Sequence, residues 1–239
     1  MKYYRLLSML PSLPEAPEPP PIKLEAFVPL IEEDFAERDR PLVLAMLGFI
    51  DCQNVEALLQ DFDVFDERAP LSRAQIEERA DLPPYLEEFL ETYDSGAAGE
   101  GYAFDELWRG YFEYLVQLGE NSGNHFLKDW AAFEIGLRDD LVPMRADATG
   151  EKADLRLSGV AVDEVSDTQP LLSALHEAPN PMEAERLLDT ERLKKIDAFA
   201  GVDPFSTDAA LAYLAALLIL DRWDVGPTVD VAKMLEVFA

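Results

Sequence analysis

Residues 48–59 read GFIDCQNVEALL, an apolar run interrupted by Asp51 and Asn54. At helical spacing Leu47, Asp51, Asn54 and Leu58 share one stripe, the face a helix turns toward its core. An acid and an amide on that stripe need partners, because a buried polar group left unbonded costs about 1–3 kcal/mol. Two readings are open. Either the pair fixes the register of packed helices, with Arg109, Arg138 and Arg222 as candidate partners of Asp51. Or the helix breaks at Ile50 and Asp51 caps a second one.

Helical periodicity extends over almost the whole chain. After a short apolar start at Tyr3–Leu10, PSLPEAPEPPP (11–21) reads as an extended strap or linker, since its prolines lack donors and fix φ. Helices are expected near 23–37 and 41–61, then from Ser72, whose S-x-x-Q spacing to Gln75 is a capping box. Pro83-Pro84 breaks that helix and starts the next, YLEEFLETY. Longer helices follow at about 103–118 and 123–146, separated by Gly119–Gly123. Residues 147–169 lack a helical period and are read as holding one short strand (Leu155–Val162) or a mobile loop. Helices resume at 170–178, at 181–199 with Pro181 in the first turn, and at 207–224 capped by Ser206, and a final helix closes the chain after Gly226-Pro227. The fold class is all-α, an elongated multi-helix bundle of about nine helices. SGAAGEG at 95–101 is the candidate joint between two lobes, 1–98 with the strap and 99–239, which otherwise pack as one domain.

A chain of 239 residues that is 49% hydrophobic can bury a substantial core. Its 48 acids against 20 bases give a net charge of −28. Nucleic acid and anionic lipid headgroups are repelled by such a surface, so the expected partner is a protein. Adaptation to a salty cytoplasm is the other reading of the same acidity. Cys52 is the only cysteine, which excludes an internal disulfide and a thiolate zinc site. The N-terminus lacks a signal-peptide pattern, and the apolar run Ala209–Leu220 is too short to span a bilayer. The expectation is a cytoplasmic chain with no direct membrane insertion.

Catalytic patterns are sparse. The two histidines, His125 and His176, read as exposed or capping residues. SGAAGEG has no Lys-Ser/Thr after it, and DFDVFDE (61–67) lacks the glycine and terminal glutamate of a calcium loop. Asp139-Asp140 and Glu87-Glu88 are adjacent, so on a helix they diverge. No catalytic, cofactor-binding or metal-binding residues are assigned, and no small-molecule substrate is expected. The candidate residues are structural or interfacial: Asp51, Asn54, Arg109, Trp130, Glu134, Arg138, Asp221 and Arg222. Trp130 shares an apolar face with Phe126, Phe133, Leu137 and Leu141, with Glu134 and Arg138 paired at i, i+4 beside it. Arg109 and Arg222, each next to a tryptophan, are counter-ions for acids in the seam. Asp51, Glu134 and Asp221 each sit beside apolar helical residues, which chance in so acidic a chain explains and which a degenerate repeat would also produce. Trp108, Tyr111 and Phe112, and likewise Tyr85, Phe89 and Tyr93, read as core packing or as an exposed docking ridge.

Several stretches together resemble a known family. YYRLLSMLPSLP (3–14), LPPYLEEFLETY (82–93), HFLKDWAAFEIGLRDDL (125–141) and FSTDAALAYLAALLILDRW (205–223) look like the bacterial family of uncharacterised proteins encoded in V-type ATPase operons. That family stands in for the C subunit of V-type ATP synthases, equivalent to the d subunit of the yeast enzyme. FIDCQNVEALL is similar to the Asp-x-x-Asn helix that recurs in those C subunits. The chain is shorter than a typical C subunit, and Asp139 stands where an Asn is expected. The resemblance implies a non-catalytic central-stalk adaptor seated on the cytoplasmic face of the proteolipid ring. Its implied partners are the D and F shaft subunits and the ring. The alternatives are a free-standing acidic helical scaffold or regulator unrelated to ion transport, and a metal-dependent hydrolase using clustered acids.

Overall fold

The computed structural model describes residues 2–96, 103–149 and 168–224. The strand or loop expected at 155–162, most of the glycine-rich joint and the final helix lie outside the described residues. Ten helices follow in order: α1 (Tyr4–Met9), α2 (Leu24–Asp34), α3 (Arg40–Leu59), α4 (Arg73–Glu78), α5 (Pro84–Asp94), α6 (Ala103–Ser122), α7 (His125–Thr149), α8 (Gln169–His176), α9 (Pro181–Phe199) and α10 (Thr207–Asp221). No strand occurs among the described residues, and the protein is an all-α, multi-helix fold.

The helix ends follow side-chain chemistry. Ser72 and Gln75 form the reciprocal capping box at α4. Ser206 accepts from the Ala209 N–H at 3.0 Å, and Asn180 accepts from the Glu183 N–H at 2.9 Å ahead of Pro181. Two boundaries differ from expectation. α4 stops at Glu78 rather than at Pro83, because Arg79 takes a left-handed conformation (φ 55°) and returns its guanidinium to the Ile76 carbonyl at 2.8 Å. α6 runs through Gly119 to Ser122, across the residues expected to separate two helices.

Gly119 explains that extension. A Cβ there would lie 2.8 Å from the Lys128 backbone nitrogen, so the bare Cα is what lets the end of α6 meet the start of α7. Asn124 closes the corner by accepting from the Leu127 N–H at 2.8 Å and donating to Asp208 at 2.6 Å. α6 then packs against α3, α5 and α7, while α10 packs against α2, α3, α7 and α9. α10 buries nine of its fifteen residues, consistent with its all-round apolar composition. Helices on both sides of the glycine-rich joint contribute to one core, in which Tyr85, Phe89, Tyr111 and Phe112 are buried and Trp108 is partly covered.

α3 is the one described helix long and apolar enough to cross a membrane by length and composition. Most of that apolar window is buried against its neighbours, as in a core helix. The N-terminal segment closes over the helix ends: the Tyr3 N–H donates to the Phe205 carbonyl at 2.7 Å, and the Tyr3 hydroxyl donates to buried Asp39 at 2.5 Å. The proline-rich strap lies against α10, where the Tyr213 hydroxyl reaches the Pro11 carbonyl at 3.0 Å.

The Gly119 contact is testable against a neutral control in the next helix. Gly119→Ala should destabilise the fold by about 1–3 kcal/mol through overpacking. Gly136→Ala, where a Cβ meets nothing within 4 Å, should be neutral or stabilise by up to about 1 kcal/mol. Urea unfolding of both variants checks the contrast, and equal effects would refute it.

Candidate functional site

Asp51 and Asn54 lie on an unbroken α3, and both are buried, at 2% and 3% exposure. Their hydrogen bonds go to the segment that follows their own helix. Asn54 behaves like a strand residue toward it: its Nδ2 donates to the Asp66 carbonyl at 2.9 Å, and its Oδ1 accepts from the Asp66 N–H at 2.7 Å. Asp51 Oδ1 accepts from the Leu71 N–H at 3.0 Å. Residues 60–72 are thereby fastened along α3, with Leu71 and Ile76 seated in the core.

The expected arginine partners of Asp51 are engaged elsewhere. Arg109 lies on the outer side of α6 and pairs with Glu106 and, at 4.0 Å, Glu113. Arg138 pairs with Glu134 at 3.8 Å and stacks over the Trp108 and Phe112 rings, 4.9 Å from each centroid. Arg222 pairs with Asp189. Burial pushes the Asp51 carboxyl up to about 7, with the Leu71 N–H acting only weakly against it. Cys52 beside it is fully buried, and burial pushes its thiol up, which makes it inert.

The clamp continues to the far end of the chain. Arg68 grips both oxygens of Asp66, at 2.8 Å through Nε and 2.6 Å through Nη2, and reaches Asp221 at 2.6 Å through Nη1. Burial favours a neutral Asp66, but these Arg68 bonds outweigh it and hold the carboxyl below its ordinary range. Asp221 is thus tied to α3 through the 60–72 segment. The DFDVFDE stretch, which superficially resembles a calcium loop, is held by its backbone and by Arg68. Among the described residues no group of three or more His, Cys, Asp and Glu is placed to hold a metal ion.

A second polar seam joins α7, α9 and α10. Glu134, 3% exposed, receives Arg192 Nε at 2.7 Å on one oxygen and Nη2 at 3.4 Å on the other. Arg192 Nη1 reaches Asp189 at 3.2 Å, and Asp189 also accepts from Arg222 and, at 2.8 Å, from the Trp223 indole. Burial opposes the Glu134 charge, but Arg192 and Arg138 outweigh it and hold the carboxyl below its ordinary range. Burial likewise pulls Arg192 down, and Glu134 and Asp189 more than reverse this, so it stays charged.

Trp130, Glu134, Arg138 and Arg222 therefore come together, whereas Asp51, Asn54 and Asp221 belong to the separate α3 clamp and Arg109 belongs to neither. Trp130, Glu134, Arg138, Arg192 and Arg222 share the wall of a cavity of about 90 Å³. Sequence reasoning missed Asp189, Arg192, Arg68 and Asp39. Arg192 carried a readable signal: it sits between Leu188 and Ile196 at i, i+4 spacing, the same polar interruption of an apolar stripe that marked Asp51.

A family model described as a protein of unknown function (DUF2764) matches residues 1–170. The chain belongs to that family. No curated protein and no solved structure matches it. The matched part of this DUF2764 member spans α1–α7 and the start of α8. It contains Asp51, Asn54, Glu134 and Arg138, while Asp189, Arg192, Asp221 and Arg222 lie beyond it.

Each seam has its own test. Asp51 is more acidic unfolded, near 3.8, than folded, near 7, so its neutral form favours the fold. Its contribution is fully present below about pH 4, declines as pH rises and is gone above pH 7, a swing on the order of 4 kcal/mol. Asp51→Asn keeps an acceptor for Leu71 without the charge, so its stability relative to wild type should rise by several kcal/mol between pH 4 and pH 8. A pH-independent difference in chemical denaturation would contradict this. Asp189→Ala leaves Arg192 with Glu134 alone and removes the acceptor of the Trp223 indole, so it should cost about 1–3 kcal/mol, and a loss below about 0.5 kcal/mol would show that the seam is not a unit.

Proposed function

We propose that the protein is a non-catalytic central-stalk adaptor of a V-type ATPase or ATP synthase, linking the D and F shaft subunits to the membrane proteolipid ring from the cytoplasmic side. The resemblance of segments from residue 3 to residue 223 to the operon-encoded stand-ins for the C subunit supports this reading. The all-α architecture is compatible with it.

The observation that carries the reading is where the buried polar groups go. Asn54, Glu134 and Asp189 bind backbone or guanidinium groups of other segments, and Asp221 is bound by Arg68, 153 residues away in sequence. Such ties hold helices in alignment, and close-packed interiors transmit strain with little compression. A part that passes torque between a shaft and a ring needs both properties. The net charge of −28 adds a docking mode, since cytoplasmic loops of membrane proteins carry excess Lys and Arg. Attachment to the ring is then electrostatic and weakens with salt.

Affinity purification from the native host tests the reading. Recovery of the A, B and D subunits of the ATPase together with the proteolipid, in fixed proportion, is the expected result. Recovery of the chain without them would favour a free-standing acidic scaffold and refute the stalk assignment.

A further inference from the structure

We infer that the cavity between α3, α6, α7, α9 and α10 is an anion site that takes a carboxylate on a short apolar stem. This site is independent of the stalk reading. The cavity wall carries three guanidiniums, from Arg138, Arg192 and Arg222, and, among the described residues, a single carboxylate, Glu134. Arg192 already covers both Glu134 oxygens, so that carboxylate is engaged. Asp189 does not line the wall and engages one nitrogen each of Arg192 and Arg222, and Glu185, 3.9 Å from Arg222, is exposed and screened by water.

The guanidiniums are oriented as well as concentrated. Arg138 is stacked on two aromatic rings, and Arg192 is held by Glu134 and Asp189. Among the described residues Arg222 makes both of its ion pairs through Nη2, and it lines the cavity wall. A planar carboxylate matches a guanidinium fork, and the remaining wall is apolar, with Phe49, Leu218 and Ile219 beside Trp130. Spherical, strongly hydrated phosphate suits that wall poorly. The volume of about 90 Å³ corresponds to about three waters at ~30 Å³ each, the size of a carboxylate with one or two carbons. The overall charge of −28 repels anions at long range, but beyond about 8–10 Å that repulsion is screened at physiological salt, and the contacting groups decide.

Such a carboxylate has two sources: a free short-chain acid, or a side chain or chain end of a partner protein. Calorimetric titration of the full chain with propionate tests the shared chemistry. Saturable one-to-one binding is expected, weakened about tenfold or more in Arg222→Gln and by a smaller factor in Arg222→Lys, which keeps the charge but not the fork, with inorganic phosphate binding more weakly. In wild-type protein, propionate should also shift the Trp130 indole NMR signal, a readout independent of how the variants fold. A tripeptide with a free terminal carboxylate that binds more tightly than propionate, and than its amidated form, assigns the site to a partner's chain end. The same preference for a glutamate-containing over a glutamine-containing peptide assigns it to a side chain, and tightest binding of propionate itself assigns it to a free acid. Absence of saturation, binding unchanged in Arg222→Gln, or phosphate binding as tightly as propionate would overturn the inference.

Discussion

The contact between Glu134 on α7 and Arg192 on α9 sets the terms for the C-terminal half of the fold. Both groups are removed from water, a step that costs several kcal/mol per ion unless geometry and further bonds compensate. The compensation here is collective. Arg192 is shared with Asp189, Asp189 is shared with Arg222 and Trp223, and Arg138 approaches Glu134 from the aromatic side. Each pair leans on the next, so α7, α9 and the end of α10 are held in one arrangement by alternating charges. Replacing such a network by apolar residues often preserves or raises stability, which makes its value one of alignment.

The clamp on α3 answers the same problem by different means. Asp51 is approached by an N–H rather than by a cation, and that single donor does not offset its burial, so it sits closer to neutrality than an ordinary aspartate. Asn54 has no charge to bury and satisfies both donor and acceptor on the backbone of Asp66. Arg68 then carries the connection to Asp221. A long acidic segment is thus folded flat against the central helix by hydrogen bonds, and the first third of the chain is joined to α10. Asp39 plays a comparable part at the other end of α3, accepting from Tyr3 at 2.5 Å and from Thr207 at 3.3 Å.

Much of this was legible in the residues. Apolar period, capping residues and proline positions located the helices, including the capping box at Ser72 and the apolar α10. The stripe containing Asp51 and Asn54 announced buried polar groups, and Glu134 with Arg138 announced a pair. Their partners were less readable. A backbone N–H, such as that of Leu71 or Asp66, has no sequence signature, so a carboxylate that binds one looks like a carboxylate in search of arginine. The continuation of α6 through Gly119 was hidden because a glycine followed by polar residues usually ends a helix, and only the approach of α7 shows why it does not. Arg192 was overlooked because acids and bases alternate along α9, yet its place between Leu188 and Ile196 marked it as inward-facing.

Buried charges in this protein therefore act as a coupled unit that aligns helices. A double-mutant cycle on Glu134→Gln and Arg192→Met, read by urea unfolding, measures that coupling directly. A coupling energy of about 2 kcal/mol or more is predicted, at the upper end of what contacting residues show. A coupling below about 0.5 kcal/mol, with the two substitutions simply additive, would contradict it.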